Sequence, residues 1–324
     1  MKERNLGVEF YRCLLMLGIV AIHASGHAAF QQTWGTEFFD WCVCGFVFIS
    51  GYFGIKFRPS KVLSLIGIGI WCSFAVWACS DAGWVSIVTG ANGFWFLWAY
   101  ILLMMFAPLV EAALDKLNAR QTLCVVLPIL MVAYVWMFLL AVPGVRDYIP
   151  QSRGVQGLSF ISILPIYIMA RFYQKFRVER FLTRRLAVVS FPICIGLFAL
   201  GFWWYWWIPA LVVTIITFKL FSQMKCPQTI GRIAAFLAPS MFSVYMLHFS
   251  VGGVQFMRSM ELCLADSWGG VPTTLDVLMV TLITFVLCIL ADLPRRMLLY
   301  LLRGCISRMC SWIDGQYERL LAVC

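Results

Sequence analysis

Ten long apolar stretches, each parted from the next by a short polar break, leave this chain little choice of solvent. They fall near 8–30, 38–55, 62–80, 94–114, 121–142, 155–173, 186–204, 207–223, 236–256 and 273–293. One crossing of a bilayer takes roughly 20 residues of helix. Of 324 residues, 62% are hydrophobic and 12% charged, and the mean hydropathy is +0.87. A water-soluble fold has no interior large enough for that much apolar surface, and a disordered chain needs the opposite composition. Segments such as 13–22 and 279–291 are apolar on every side rather than alternating, which excludes a barrel of half-polar strands. The expected fold is all-α, a polytopic transmembrane helical bundle of about ten spans. A single integral membrane domain is expected over 1–324, with a short basic tail from about 294. The first apolar segment outruns a signal-peptide core and is read as retained. The 13 cysteines lie mostly inside apolar runs, and even the close pair Cys42 and Cys44 reads as small buried apolar side chains.

The basic residues orient the bundle. With the N-terminus in the cytoplasm, 21 of the 25 Lys and Arg fall on the inner side, and only Arg146, Arg153 and Arg258 fall outside. That alternating bias is the positive-inside pattern, and an even number of spans puts both termini in the cytoplasm. The outer loops are expected to carry Glu37, Asp40, Asp81, Asp147, Glu261, Asp266 and Asp276. The basic inner face would attract a polyanion such as a phosphorylated cofactor, although setting orientation and touching anionic lipid account for most of these charges. The net charge of +10 therefore does not call for nucleic acid. The run Trp203-Trp204-Tyr205-Trp206-Trp207 reads either as an interfacial aromatic belt or as a surface that stacks on a sugar or polyprenyl ligand.

Ionisable side chains inside a span are costly and mark function by default. The first span holds Glu9, Arg12, His23 and His27. Eleven residues make three helical turns, so Arg12 and His23 share a face about 16 Å apart along the axis. Glu9 lies within intrahelical pairing distance of Arg12. A histidine held neutral by hydrocarbon keeps a lone pair with which to take a proton from a hydroxyl. Arg12 would hold an anionic phosphate or pair with Glu9. The spacing of His23 and His27 also suits a metal, but zinc needs three or four ligands, His248 is the one other histidine, and no metal is expected.

These residues resemble a known family. Arg12 and His23, in Val8-Glu9-Phe10-Tyr11-Arg12 to His23-Ala24, are similar to the first-span signature of the membrane acyltransferase 3 family. Phe46-Val47-Phe48-Ile49-Ser50-Gly51-Tyr52-Phe53 resembles its F-x-x-I-S-G-Y-F segment, followed by a basic cluster of Lys56, Arg58 and Lys61. Here Arg58-Pro59-Ser60-Lys61 departs from the Arg-x-x-Arg form of many members. Phe94-Trp95-Phe96 with Tyr100 and Pro108, and then Ser243-Val244-Tyr245-Met246-Leu247-His248, resemble its fourth-helix and late segments.

The resemblance implies an O-acyltransferase of the bacterial plasma membrane. It would move an acyl group, usually acetyl, from cytoplasmic acyl-CoA to a hydroxyl of an envelope carbohydrate or glycolipid. No SGNH-type esterase follows the last span, so a stand-alone enzyme or one working with polysaccharide-assembly proteins is implied. On this reading His23 is general base or acyl relay with Arg12 beside it, and Arg58 and Lys61 receive CoA. Glu9, Ser50, Gly51, Tyr52, Trp95, Tyr100 and His248 would line the substrate path. The same buried charges also fit a proton-coupled glycolipid transporter or flippase, or a non-catalytic subunit of a polysaccharide assembly machine.

Overall fold

A computed structural model describes residues 5–26, 41–78, 95–141, 160–199, 207–267 and 274–323. Within them the chain is helical, with no strands. The helices are α1 (Leu6–Gly26), α2 (Trp41–Phe53), α3 (Pro59–Ala78), α4 (Trp95–Lys116), α5 (Ala119–Ala141), α6 (Phe160–Lys175) and α7 (Arg184–Ala199). They continue as α8 (Trp207–Ser222), α9 (Gln228–Leu237), α10 (Met241–Phe249), α11 (Val251–Ser267), α12 (Thr274–Leu301) and α13 (Arg303–Val323). Short 3-10 turns lie at Val178–Arg180 and Ala238–Ser240.

Each expected apolar stretch overlaps a helix, and among the described residues five helical segments are long and apolar enough to cross a membrane. These are Leu6–Ala24, Pro59–Ala78, Trp95–Lys116, Gln228–Phe249 and Thr274–Leu301. The outward faces confirm which solvent suits them. Leu275, Leu278, Leu282, Val286 and Leu290 form an exposed apolar stripe on α12, and Met131, Val132 and Val135 one on α5. In lipid such faces cost nothing, and the helices satisfy their own backbone polar groups. Pro108, Pro128, Pro165, Pro192 and Pro294 stand inside helices, as neighbouring helices in a membrane bundle permit.

Helix α1 is the hub. It packs against α2, α8, α9, α10 and α12, and Val8, Tyr11, Leu15, Met16, Ile19, Val20 and Ala24 are buried along it. Tyr11 ties it to α8 through a 2.7 Å hydrogen bond between its hydroxyl and that of Thr217. Helix α2 lies against α6 and α8. Its approach to α6 depends on Gly51, where a Cβ would stand 2.6 Å from Cβ of Ala170 and 2.7 Å from the Tyr167 carbonyl oxygen. Small residues at such crossings let membrane helices come close.

Three expectations change. The ninth stretch, expected at 236–256, is instead the pair α9 and α10, which ends at Phe249, and α11 is a separate helix. Helix α9 is amphipathic, with Ile230, Ile233 and Phe236 exposed, so an apolar window starts too late to find it. Glu261 and Asp276, expected on outer loops, are buried in α11 and α12. The tail expected to be short and basic is the 21-residue helix α13. His27, Asp40 and Trp203 to Trp206 lie outside the described residues, as do Glu37, Asp81, Asp147, Arg146 and Arg153.

Candidate functional site

A cavity of about 240 Å³ opens between α1, α2, α3, α4 and α10. Arg12, Met16 and Ile19 supply the α1 wall, spaced so that one helical face looks into it. Val43, Phe46 and Ser50 come from α2, Leu65 from α3, and Phe96 and Tyr100 from α4. Met241, Phe242 and Tyr245 of α10 close it. The lining is mainly apolar with few polar groups, the usual make-up of a small-molecule site.

Those polar groups are held in place. Arg12 donates to both carboxylate oxygens of Glu9, at 3.2 and 3.1 Å, and the Arg12 side chain keeps a third of its surface exposed while Glu9 is buried. The guanidinium is thus anchored on one side and still open to an anion on the other. The Tyr100 hydroxyl donates to Ser50 Oγ at 3.1 Å, and Ser50 Oγ donates to the Phe46 carbonyl at 3.1 Å. That chain fixes a tyrosine and a serine side by side on the cavity wall.

Above the cavity, α1 and α10 bring two histidines together. The ring centroids of His23 and His248 are 5.2 Å apart, and His23 also meets Phe249 at 4.7 Å. Tyr245 connects this pair to the cavity, its ring lying 6.0 Å from His248 and 5.9 Å from Phe249. His248 is fully buried, and its Nδ1 lies 2.6 Å from the Val244 carbonyl oxygen. A carbonyl only accepts, so Nδ1 carries the hydrogen and Nε2 keeps its lone pair. Nε2 has no hydrogen-bond partner among the described residues.

The local sequence explains why His248 sits there. Helix α10 ends where Ser250 turns extended, and the Ser250 hydroxyl donates to the Leu247 carbonyl at 2.6 Å while accepting the Gly253 N–H at 3.0 Å. A Cβ on Gly253 would collide with the Leu247 carbonyl and stand 2.7 Å from that of His248. Only glycine lets the first turn of α11 come so close to the end of α10, which pins the histidine backbone.

The structure therefore gathers Arg12, Glu9, Ser50 and Tyr100 at the cavity, and His23 with His248 beyond it. Trp95 lies beside the cavity, 5.4 Å from the ring of Phe96. Other expected residues stand apart. Gly51 is consumed by the α2–α6 contact, and the Tyr52 hydroxyl donates to Glu179 at 3.2 Å. Arg58 and Lys61 are exposed at the start of α3 and do not line the cavity, although Leu65, one turn further on, does.

Several structural residues carry no signal in the periodicity. Arg171 of α6 donates to the carbonyls of Gly51 and Tyr52 at 3.4 and 3.3 Å and to Glu111 at 2.6 Å. The Tyr167 hydroxyl donates to Glu111 at 2.9 Å and accepts the Ile55 N–H at 3.2 Å. This cluster satisfies the open carbonyl end of α2 and sets the course of the loop that carries Arg58. Arg171 reads in the sequence as an orientation charge only.

The family model described as an acyltransferase domain, acyltransferase 3, matches residues 5–293. That range contains the cavity and both histidines. No curated protein and no solved structure matches the chain.

Proposed function

The chain belongs to the acyltransferase 3 family, and from that premise we propose that it is an O-acyltransferase of the bacterial plasma membrane. It takes an acetyl or similar acyl group from cytoplasmic acyl-CoA and passes it to a hydroxyl of an envelope carbohydrate or its lipid-linked precursor. On this reading the single domain crosses the bilayer ten times with both termini in the cytoplasm, as the distribution of basic residues favours.

The observation that carries the reading is continuity along one face of α1. Arg12, Met16 and Ile19 line the cavity, and His23, one turn further, meets His248 at 5.2 Å. Arg58 and Lys61, exposed at the start of α3, meet the polyanionic nucleotide part of CoA as it arrives. Arg12 holds a phosphate nearer the bundle. The apolar walls take the thin thioester arm, with Ser50 and Tyr100 as hydrogen-bonding groups beside it.

At the far end of this path from Arg12, His23 takes the proton from the acceptor hydroxyl. The oxygen attacks the thioester carbonyl, the carbon–sulfur bond breaks, and the thiolate recovers the proton from the imidazolium. An O-ester and free CoA thiol result. His248 packs beside His23, ring centroid at 5.2 Å, and supports the base by holding its ring in place.

The test uses purified protein in nanodiscs with radiolabelled acetyl-CoA and a mixture of envelope glycans, following CoA release and label transfer. Turnover by the wild type that His23→Ala loses, with the variant folded, bears the reading out. Movement of an unmodified glycolipid without CoA release would replace it with a transporter.

A further inference from the structure

Helix α13 lies beyond the residues that the family model matches, and nothing in the acyl-transfer reading uses it. One side of it is accounted for. Asp314 accepts the Ser60 N–H at 3.1 Å and the Ser60 hydroxyl at 2.8 Å, and Tyr317 packs on Phe57 at 5.2 Å. The helix is thereby fastened to the start of α3.

Another side has no cover among the described residues. Leu302, Met309, Trp312 and Leu320 are exposed, Trp312 and Leu320 at 66% and 68%. Within α13, the spacing of Met309, Trp312 and Leu320 by three and eight residues puts them along one stripe at 100° per residue. Arg308 and Arg319 are exposed and flank the stripe on its Trp312 edge. The acidic residues are elsewhere: Asp314 is engaged with Ser60, and Glu318 points to the opposite face by the same periodicity. Helix α13 also follows α12 with only Leu302 between them, so it begins at the end of a helix long and apolar enough to cross a membrane.

We propose that α13 is an interfacial helix whose Met309–Trp312–Leu320 stripe lies in the headgroup boundary of anionic phospholipids, with Arg308 and Arg319 on the headgroup phosphates. An apolar stripe edged by arginine and carrying tryptophan suits that boundary, and the positive edge complements an anionic lipid surface. Helix α13 then ties the start of α3, and with it Arg58 and Lys61, to the plane of the membrane. The inference takes from the rest only that α12 crosses a membrane, so it stands or falls apart from acyl transfer.

The test places a photo-reactive benzoylphenylalanine at 309, 312 or 318 of the full-length chain in nanodiscs of phosphatidylcholine with or without phosphatidylglycerol. After irradiation, intact-mass analysis should find phospholipid adducts from 309 and 312 and at least several-fold less from 318. Phosphatidylglycerol should raise the yield from 312 several-fold, and Arg308→Gln with Arg319→Gln should remove that gain. Equal yields from 312 and 318, or a covalent dimer in place of the lipid adduct, would overturn the proposal. Indifference to phosphatidylglycerol would overturn the anionic-lipid assignment.

Discussion

The imidazoles of His23 and His248 stand 5.2 Å apart, centroid to centroid, although 225 residues of chain separate them. His248 is fully buried and His23 partly so, and two histidines packed together inside a membrane bundle are expensive unless both are used. His248→Phe keeps the ring volume and removes the Nε2 lone pair. We expect turnover to fall roughly 10- to 100-fold and His23→Ala to reduce it by about 10² to 10⁴-fold, the range of a lost general base. CoA release by both variants, with gel-filtration profiles like the wild type, checks this. Normal turnover by His248→Phe would leave His248 as packing.

Arg12→Ala should act on the donor. It removes the cation at the cavity and leaves Glu9 buried with no partner, so acyl-CoA should be both uninvited and repelled. A charge-assisted contact contributes about 1.5–3 kcal/mol, which corresponds to a rise of about 10- to 100-fold in KM for acyl-CoA. Arg12→Ala combined with Glu9→Gln should recover part of that loss, because the uncompensated carboxylate is gone. Steady-state kinetics of the three variants decide it, and an unchanged KM in Arg12→Ala would take Arg12 out of the site.

The α1 face was legible because a helix is rigid: a separation of 11 residues fixes three turns wherever the helix is buried. Ser50 and Tyr100, named from two separate segments, meet across α2 and α4. What stayed hidden depends on contacts between distant segments. Nothing about Glu111, Tyr167 or Arg171 is periodic, and their cluster exists only because α4 and α6 lie together. Glu261 lies past the ninth apolar stretch in a segment too polar to read as a span, yet it is buried in α11. Helix α13 escaped for a related reason. Its apolar residues form a stripe, not a run, and a hydropathy window averages the stripe away.

Asp314→Ala should loosen the start of α3. The carboxylate accepts one of the unpaired N–H groups there and sits favourably at a helix N-terminus, an arrangement whose loss costs about 0.5–2 kcal/mol. Hydrogen exchange of the backbone around 58–62 should quicken, and KM for acyl-CoA should rise more than kcat falls, since Arg58 and Lys61 move with that turn. Unaltered exchange at 58–62 would show that the clamp holds nothing.

Gly51 and Gly253 separate stability from turnover. A methyl at Gly51 meets Ala170 and the Tyr167 carbonyl, so Gly51→Ala must push α2 away from α6. Overpacking of this kind costs about 1–3 kcal/mol, and it should show first as a lower thermal midpoint in detergent. Gly253→Ala meets the carbonyls of Leu247 and His248 instead, at a turn rather than between two long helices. The cheapest relief is to open the α10–α11 angle, which carries His248 away from His23. A displacement near 1 Å in a catalytic pair costs up to about 100-fold in rate. We therefore expect Gly253→Ala to lose turnover at a nearly normal thermal midpoint, and Gly51→Ala to lose midpoint with kcat largely kept at low temperature. Parallel melting curves and kcat values on the two variants provide the check. If both lose turnover and stability in step, the tight α10–α11 turn serves the bundle as a whole and not the placement of His248.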